Sequence, residues 1–128
     1  MISEFTSQRS ELLLRNFRKS LAEQSVISAR RAFRDAVDAP APRFWVGEAR
    51  AARIISRMCK GEDPTVDMLP EKAEMYREIF RRVSALRLEE PEASLGDLVF
   101  RVVNSEAPRS YLSISRAKNI INIERKKR

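Results

Sequence analysis

The residues of this chain best suited to chemistry are cations at helical spacing: Arg50, Arg53, Arg57 and Lys60. Steps of about 100° per residue place them in one sector of a helix, beside a face centred on Ala51. Such a stripe matches the phosphates of a nucleic-acid backbone and can enter a major groove. Glu48 is the one acid near it in the sequence, and no carboxylate four residues on neutralises it. The competing reading is a solvated face that keeps the protein soluble. At an offset of 66 the same positions are Arg116, Asn119, Ile123 and Lys126. There Asn119 and Asn122 bring amides that can read base edges, while Ile123 suits a protein contact equally. Arg43 and Arg109 each follow a proline at the mouth of a turn. They can clamp a phosphate there, or bond backbone carbonyls that the proline leaves free. Trp45 and Tyr111 can stack on bases, but a plug between helices suits them better. The closing Arg125-Lys126-Lys127-Arg128 is either a grip on phosphates or an ordinary frayed end.

These residues recur because the stretch that holds them is written twice. Ala41-Pro42-Arg43-Phe44-Trp45 returns as Ala107-Pro108-Arg109-Ser110-Tyr111, and Arg50-Ala51 with Ile54-Ile55 returns as Arg116-Ala117 with Ile120-Ile121. The correspondence runs without a gap from residues 28–55 to residues 94–121. Across it the apolar positions Ala29, Ala32, Phe33, Ala36 and Val37 answer Leu95, Leu98, Val99, Val102 and Val103. Preserved core positions with modest identity are what a duplicated structural unit keeps.

Helical patterns position the repeats. A first helix runs from about Ser7 to Gln24 with Leu13, Phe17, Ser20 and Leu21 on one face. A second runs from Ser25 or Ser28 to Asp38 and ends before Pro40 and Pro42. After an extended passage, a third opens at Gly47 or Glu48 and stops at Gly61, burying Ala51, Ile54, Ile55 and Met58. A fourth spans about Pro70 to Glu90 over Met75, Tyr76, Ile79, Phe80, Val83 and Leu86. A fifth begins at a capping-box-like Ser94, and a sixth after Ser113 with Ala117, Ile120 and Ile121 inward. The expected architecture is all-α: a tandem duplication of a helix–helix–extended turn–helix unit, 1–62 and 63–128. A half that small is marginal alone, so the six helices are expected to share one core.

Bulk properties narrow the function. A net charge of +7 and a pI near 10.2 suit a polyanionic partner, nucleic acid before an acidic membrane or protein. With no histidine, Ser-His and Cys-His catalysis and histidine-held metals are excluded, and the single Cys59 allows neither an internal disulfide nor a thiolate cluster. Gly47, Gly61 and Gly96 are isolated, so no glycine-rich phosphate loop exists. Asp35, Asp38 and Glu48 fit no metal motif, and Glu71, Glu74 and Glu78 read as surface charge. No catalysis, cofactor or metal is expected. Apolar runs as short as Leu12-Leu13-Leu14 span no bilayer, and the opening Met1-Ile2-Ser3-Glu4-Phe5 is no signal peptide, so a cytoplasmic protein is expected.

Each half resembles the tri-helical helix-turn-helix class of DNA-binding modules. That resemblance implies that the last helix of a unit, with Arg50, Arg53 and Arg57 or Arg116, Asn119 and Asn122, faces the groove. The connection from Ala39 to Val46, about eight residues, departs from the three or four usual in that class. The doubled Ala-Pro-Arg-x-aromatic words are also similar to small basic bacterial proteins of unassigned function. The leading expectation is a non-catalytic, regulatory or architectural protein binding nucleic acid, double-stranded DNA first. The alternative is an assembly module whose exposed Leu14, Leu88 and Ile123 engage a partner protein.

Overall fold

Three serines start helices by accepting a hydrogen bond from a backbone N–H three residues on. Ser28 takes that of Arg31 at 3.2 Å, Ser94 that of Asp97 at 3.1 Å, and Ser113 that of Arg116 at 3.0 Å. The computed structural model describes residues 4–127; residues 1–3 and Arg128, the last of the basic tail, lie outside it. Among the described residues are six α-helices and no strand: α1 (Glu4–Glu23), α2 (Ala29–Asp38), α3 (Glu48–Cys59), α4 (Pro70–Glu89), α5 (Leu95–Val103) and α6 (Ile114–Lys126). The fold class is all-α, as expected. A 3₁₀ turn at Pro64–Asp67, which the sequence pattern did not suggest, fills the connector before α4. Asp63 caps it by accepting from the backbone N–H of Thr65.

The expected division at residue 62 is corrected by the structure. One compact unit is Met1–Ala41 together with Ala107–Arg128; the other is Pro42–Glu106. In helices, the first unit is α1, α2 and α6, and the second is α3, α4 and α5. Each pair of leading helices is thus completed by the last helix of the other repeat, and each unit has its own core. The connection length supplies the reason. Nine residues separate α2 from α3 and ten separate α5 from α6. At about 3.3 Å per residue connectors of this length span at most roughly 30 Å, and both bend on the way, at 42–43 and 45–46 and at 108–109. Packed helices sit only about 8–10 Å apart. A connector of that length does not tie the third helix to its own pair. The helix-turn-helix expectation of a unit contiguous in sequence is corrected with it.

The exchange point keeps the repeat's symmetry. Ala41 and Ala107, equivalent at the offset of 66, donate to each other's carbonyl at 2.9 and 2.8 Å. In the second unit the Phe44 N–H reaches the Val103 carbonyl at 2.9 Å; in the first the Ser110 N–H reaches that of Val37 at 2.8 Å. These two bonds are one bond repeated at the same offset. The copies differ at the aromatic: Tyr111 is left-handed at φ 53°, while Trp45 is not. Both rings are buried, as plugs rather than exposed stacking platforms.

In the first unit α1 packs on α2 and α6, which also touch each other. The core gathers Leu13, Leu14 and Phe17 of α1, Ala32, Phe33 and Ala36 of α2, and Ile120 and Ile121 of α6. Phe17 and Phe33 stack at 4.5 Å between ring centroids. Leu14 is 2 % exposed, so its expected role as an exposed partner contact is corrected: α1 has neighbours on two sides. In the second unit Tyr76, Ile79 and Val83 of α4, Leu98, Val99 and Val103 of α5 and Ile55 of α3 are buried.

Ile54, read from the sequence as core, is only half-buried, because the inward face of α3 runs through Ala51 and Ile55. Ile55→Asp and Ile121→Asp each put a carboxylate at a fully buried position. Several kcal/mol of desolvation rivals the whole stability of a small domain. Each variant is therefore expected to lose the cooperative thermal transition of its own unit by circular dichroism, Ile55→Asp in the second and Ile121→Asp in the first. Ile54→Asp is expected to keep one, and equal loss in all three would refute the face assignment.

Candidate nucleic-acid interface

The division into units redistributes the charge. The first unit holds 14 Lys and Arg against 6 Asp and Glu, a net +8; the second holds 11 against 12, a net −1. The basic character of the chain therefore belongs to α1, α2 and α6. A linear reading could not find this, because 107–128 supplies half of those 14 cations from the far end of the sequence.

On α6 the first unit exposes Arg116, Lys118, Asn119, Arg125 and Lys126, with Asn122 half-buried. Ser113 fixes the start of the helix, and Ala117, Ile120 and Ile121 face inward. Helical spacing then leaves Arg116, Asn119 and Lys126 outward, as expected from the sequence. Ile123, 59 % exposed, interrupts that face. Glu124, the one acid of the helix, is buried and within 3.7 Å of Lys127. Arg125 stands over the Phe17 ring at 5.5 Å. Among the described residues, Arg116, Lys118, Lys126, Arg15, Arg18, Lys19, Arg30 and Arg34 have no ion-pair partner. Arg31 pairs with Asp35 at 3.7 Å.

On α3 the second unit exposes Arg50, Arg53, Arg57 and Lys60, so the predicted stripe exists. It is not free of acid. Arg57 donates to Glu62 at 3.1 Å, a carboxylate beyond the end of the helix, which corrects the expectation that Glu48 alone lies near. Glu48 itself sits 3.5 Å from Arg43 and accepts from Asn104, and its carboxyl is held below its ordinary pKa chiefly by its own backbone N–H. Arg87 of α4 donates to the Cys59 thiol at 3.3 Å, placing another cation at the end of α3.

The two post-proline arginines take different partners. Arg43 donates to the carbonyls of Phe44 at 2.9 Å and Val46 at 2.6 Å, so it ties its own turn. Arg109 donates to Asp38 at 2.9 Å and lies 5.9 Å from the Tyr111 ring. Both are engaged in holding the segments that carry α3 and α6, which leaves little of either fork for a phosphate.

Equivalent grooves in the two units carry opposite charge. Between α1 and α2 a cleft of about 340 Å³ is lined by Lys19, Glu23, Asp35 and Asp38. Its counterpart between α4 and α5, about 380 Å³, has Arg81, Arg82 and Arg101 around Leu86 and Val102. Those three arginines are already matched. Arg81 and Arg82 both reach Glu78 at 2.7 Å, and Arg101 forks onto Glu90 at 3.0 and 2.7 Å. These bonds hold the Glu78 and Glu90 carboxyls below their ordinary pKa, Glu78 mainly through Arg81. Arg82 also donates to the Glu106 carbonyl at 2.7 Å and covers the Phe44 ring at 5.1 Å. This groove is a structural network rather than an anion seat.

Comparison with family models, curated proteins and solved structures finds no match for this chain. No helix among the described residues is long and apolar enough to cross a membrane. The sequence reading passed over Arg9, whose Nε is buried without a hydrogen-bond partner. The available signal was its place four residues before Leu13, on the flank of the core face of α1.

Proposed function

We propose that this is a non-catalytic nucleic-acid-binding protein, regulatory or architectural, whose first contact is with the phosphates of double-stranded DNA. The observation that carries the reading is the net +8 of the first unit against the net −1 of the second. Cations without carboxylate partners on one small unit raise local affinity for a polyanion and steer its approach. Arg116, Lys118 and Lys126 of α6, all exposed, are the proposed leading phosphate contacts, and the exposed amide of Asn119 is the proposed base-edge contact. Arg50, Arg53 and Lys60 of α3 are subordinate, because their unit has no excess of positive charge.

Fluorescence anisotropy with a random duplex tests this. With about five phosphate contacts, affinity is expected to fall by about 10²–10³ between about 50 and about 200 mM salt. Absence of binding at the lower salt would overturn the proposal. The second reading, an assembly module, keeps Leu88 and Ile123, which are 87 % and 59 % exposed. It predicts an apolar association that salt does not weaken.

A further inference from the structure

Seven large apolar side chains stand exposed among the described residues, and four of them come as two pairs. Val26 and Ile27, 86 % and 65 % exposed, lie in the turn between α1 and α2. Val66 and Leu69, each 73 % exposed, lie on the connector between α3 and α4. Turns ordinarily carry polar residues. An exposed aliphatic pair adds nothing to the core and marks a contact that the fold itself does not make.

Both segments are pinned, so the pairs are held outward. The Gln24 amide accepts the Ser28 N–H at 2.7 Å, and it donates to the Ser28 carbonyl at 3.2 Å and to Ser20 Oγ at 3.1 Å. Those bonds close the turn that carries Val26 and Ile27. On the connector Thr65 is buried; its hydroxyl accepts from Arg77 of α4 at 3.2 Å, and its backbone N–H donates to Asp63 at 3.1 Å. A surface already held in one shape loses less entropy on docking.

The charge around the two pairs has opposite sign. Residues 24–34 hold three arginines and no acid, while residues 61–71 hold four acids and no cation. Arg30 and Arg34 are exposed one turn apart on α2, and Asp67 and Glu71 bracket Leu69. None of these four has an ion-pair partner among the described residues. The pairs are therefore complementary twice over, aliphatic to aliphatic and basic surround to acidic surround. The duplication does not impose this. At the offset of 66, Val26, Ile27, Arg30 and Arg34 become Glu92, Ala93, Gly96 and Phe100. We propose that the Val26–Ile27 turn of one copy docks on the Val66–Leu69 connector of a second copy, with Arg30 and Arg34 facing Asp67 and Glu71. The contact is head-to-tail, so each copy added keeps a face open for the next. It goes beyond the nucleic-acid reading and stands without it.

Sedimentation of the full chain, free of nucleic acid, tests the contact. An interface this small is weak, so the wild-type mass is expected to rise past the dimer at about 0.1–1 mM. Val26→Ser with Ile27→Ser removes one face, and Val66→Ser with Leu69→Ser removes the other. Serine suits a turn and the N-cap position that Leu69 holds on α4, so both variants should keep wild-type melts. Each alone is expected to associate at least about tenfold more weakly. Mixed in equal amounts, they keep one intact face each and are expected to recover an association that stops at the dimer. Arg30→Glu with Arg34→Glu is expected to weaken self-association about tenfold through like charge. A wild type that stays monomeric overturns the contact and leaves the two pairs to a different partner. A wild type that halts at the dimer, a mixture that stays monomeric, or association indifferent to the arginine reversal overturns the head-to-tail pairing. A chain that assembles yet binds no duplex upholds the contact and overturns the nucleic-acid reading.

Discussion

Residues Pro42–Glu106, expressed alone, are expected to fold, and residues 1–62, the first repeat, are not. The longer-established logic of a tandem repeat predicts the reverse, since 1–62 contains one complete helix–helix–helix copy. Its α3, however, belongs to the core of α4 and α5, and its α1 and α2 lack the α6 residues Ile120 and Ile121. Losing each buried isoleucine costs about 2–5 kcal/mol. A single core of this size supplies only about 3–5 kcal/mol. The fragment is left without a cooperative transition. The first unit can be tested too, by joining Ala41 to Ala107. Their paired hydrogen bonds hold the two Cα atoms roughly 5.5 Å apart, a gap that a short glycine linker closes. Circular dichroism melts of the three chains decide the matter. A cooperative melt for 1–62 together with a structureless Pro42–Glu106 would refute the exchanged units.

DNA binding is expected to follow α6 rather than α3. Arg116→Glu with Lys118→Glu reverses two exposed cations of the first unit, and Arg50→Glu with Arg53→Glu does the same in the second. All four side chains point outward, so both variants should keep wild-type melts. Removing two phosphate contacts and adding two repulsions is expected to lower duplex affinity at least about 100-fold for the α6 pair. The salt dependence should flatten by about two contacts. For the α3 pair the expected loss is under about threefold. Both pairs are measured in one buffer by anisotropy. A larger loss for the α3 pair would return the principal contact to the stripe that stands out in the sequence. The outcome turns on field rather than spacing. Arg50 and Arg116 occupy the same helical position in their copies, yet one belongs to a unit of −1 and the other to a unit of +8.

Local features were legible because local forces set them. Ser28, Ser94 and Ser113 begin helices by bonding the third N–H onward, and that pattern is visible in a single stretch of chain. Pro40, Pro42 and Pro91 mark helix ends for an equally local reason. The inward faces of α2 and α5 followed from apolar spacing, with Ala32, Phe33, Ala36 and Val37 buried like Leu98, Val99, Val102 and Val103. The candidate cations were identified by exposure, which periodicity also predicts. Arg43 was legible only as a choice between phosphate and carbonyl, and its bonds to Phe44 and Val46 settle on carbonyls.

The sequence by itself determined six helices, the cap at Ser94, the repeat at 66 positions and most of the inward faces, though not those of Ile54 and Leu14. All of these depend on interactions within a few residues or on the periodicity of one helix. Only the tertiary structure decided which helices form a unit. That choice goes with two long connectors and with bonds such as Ala41 to Ala107, between residues far apart in the chain. With the partners went the charge of each unit, the burial of Leu14 and the ion pair between Arg57 and Glu62. Electrostatic interaction falls off with distance in space, not along the chain, so a cation's setting is known only once its neighbours are in place.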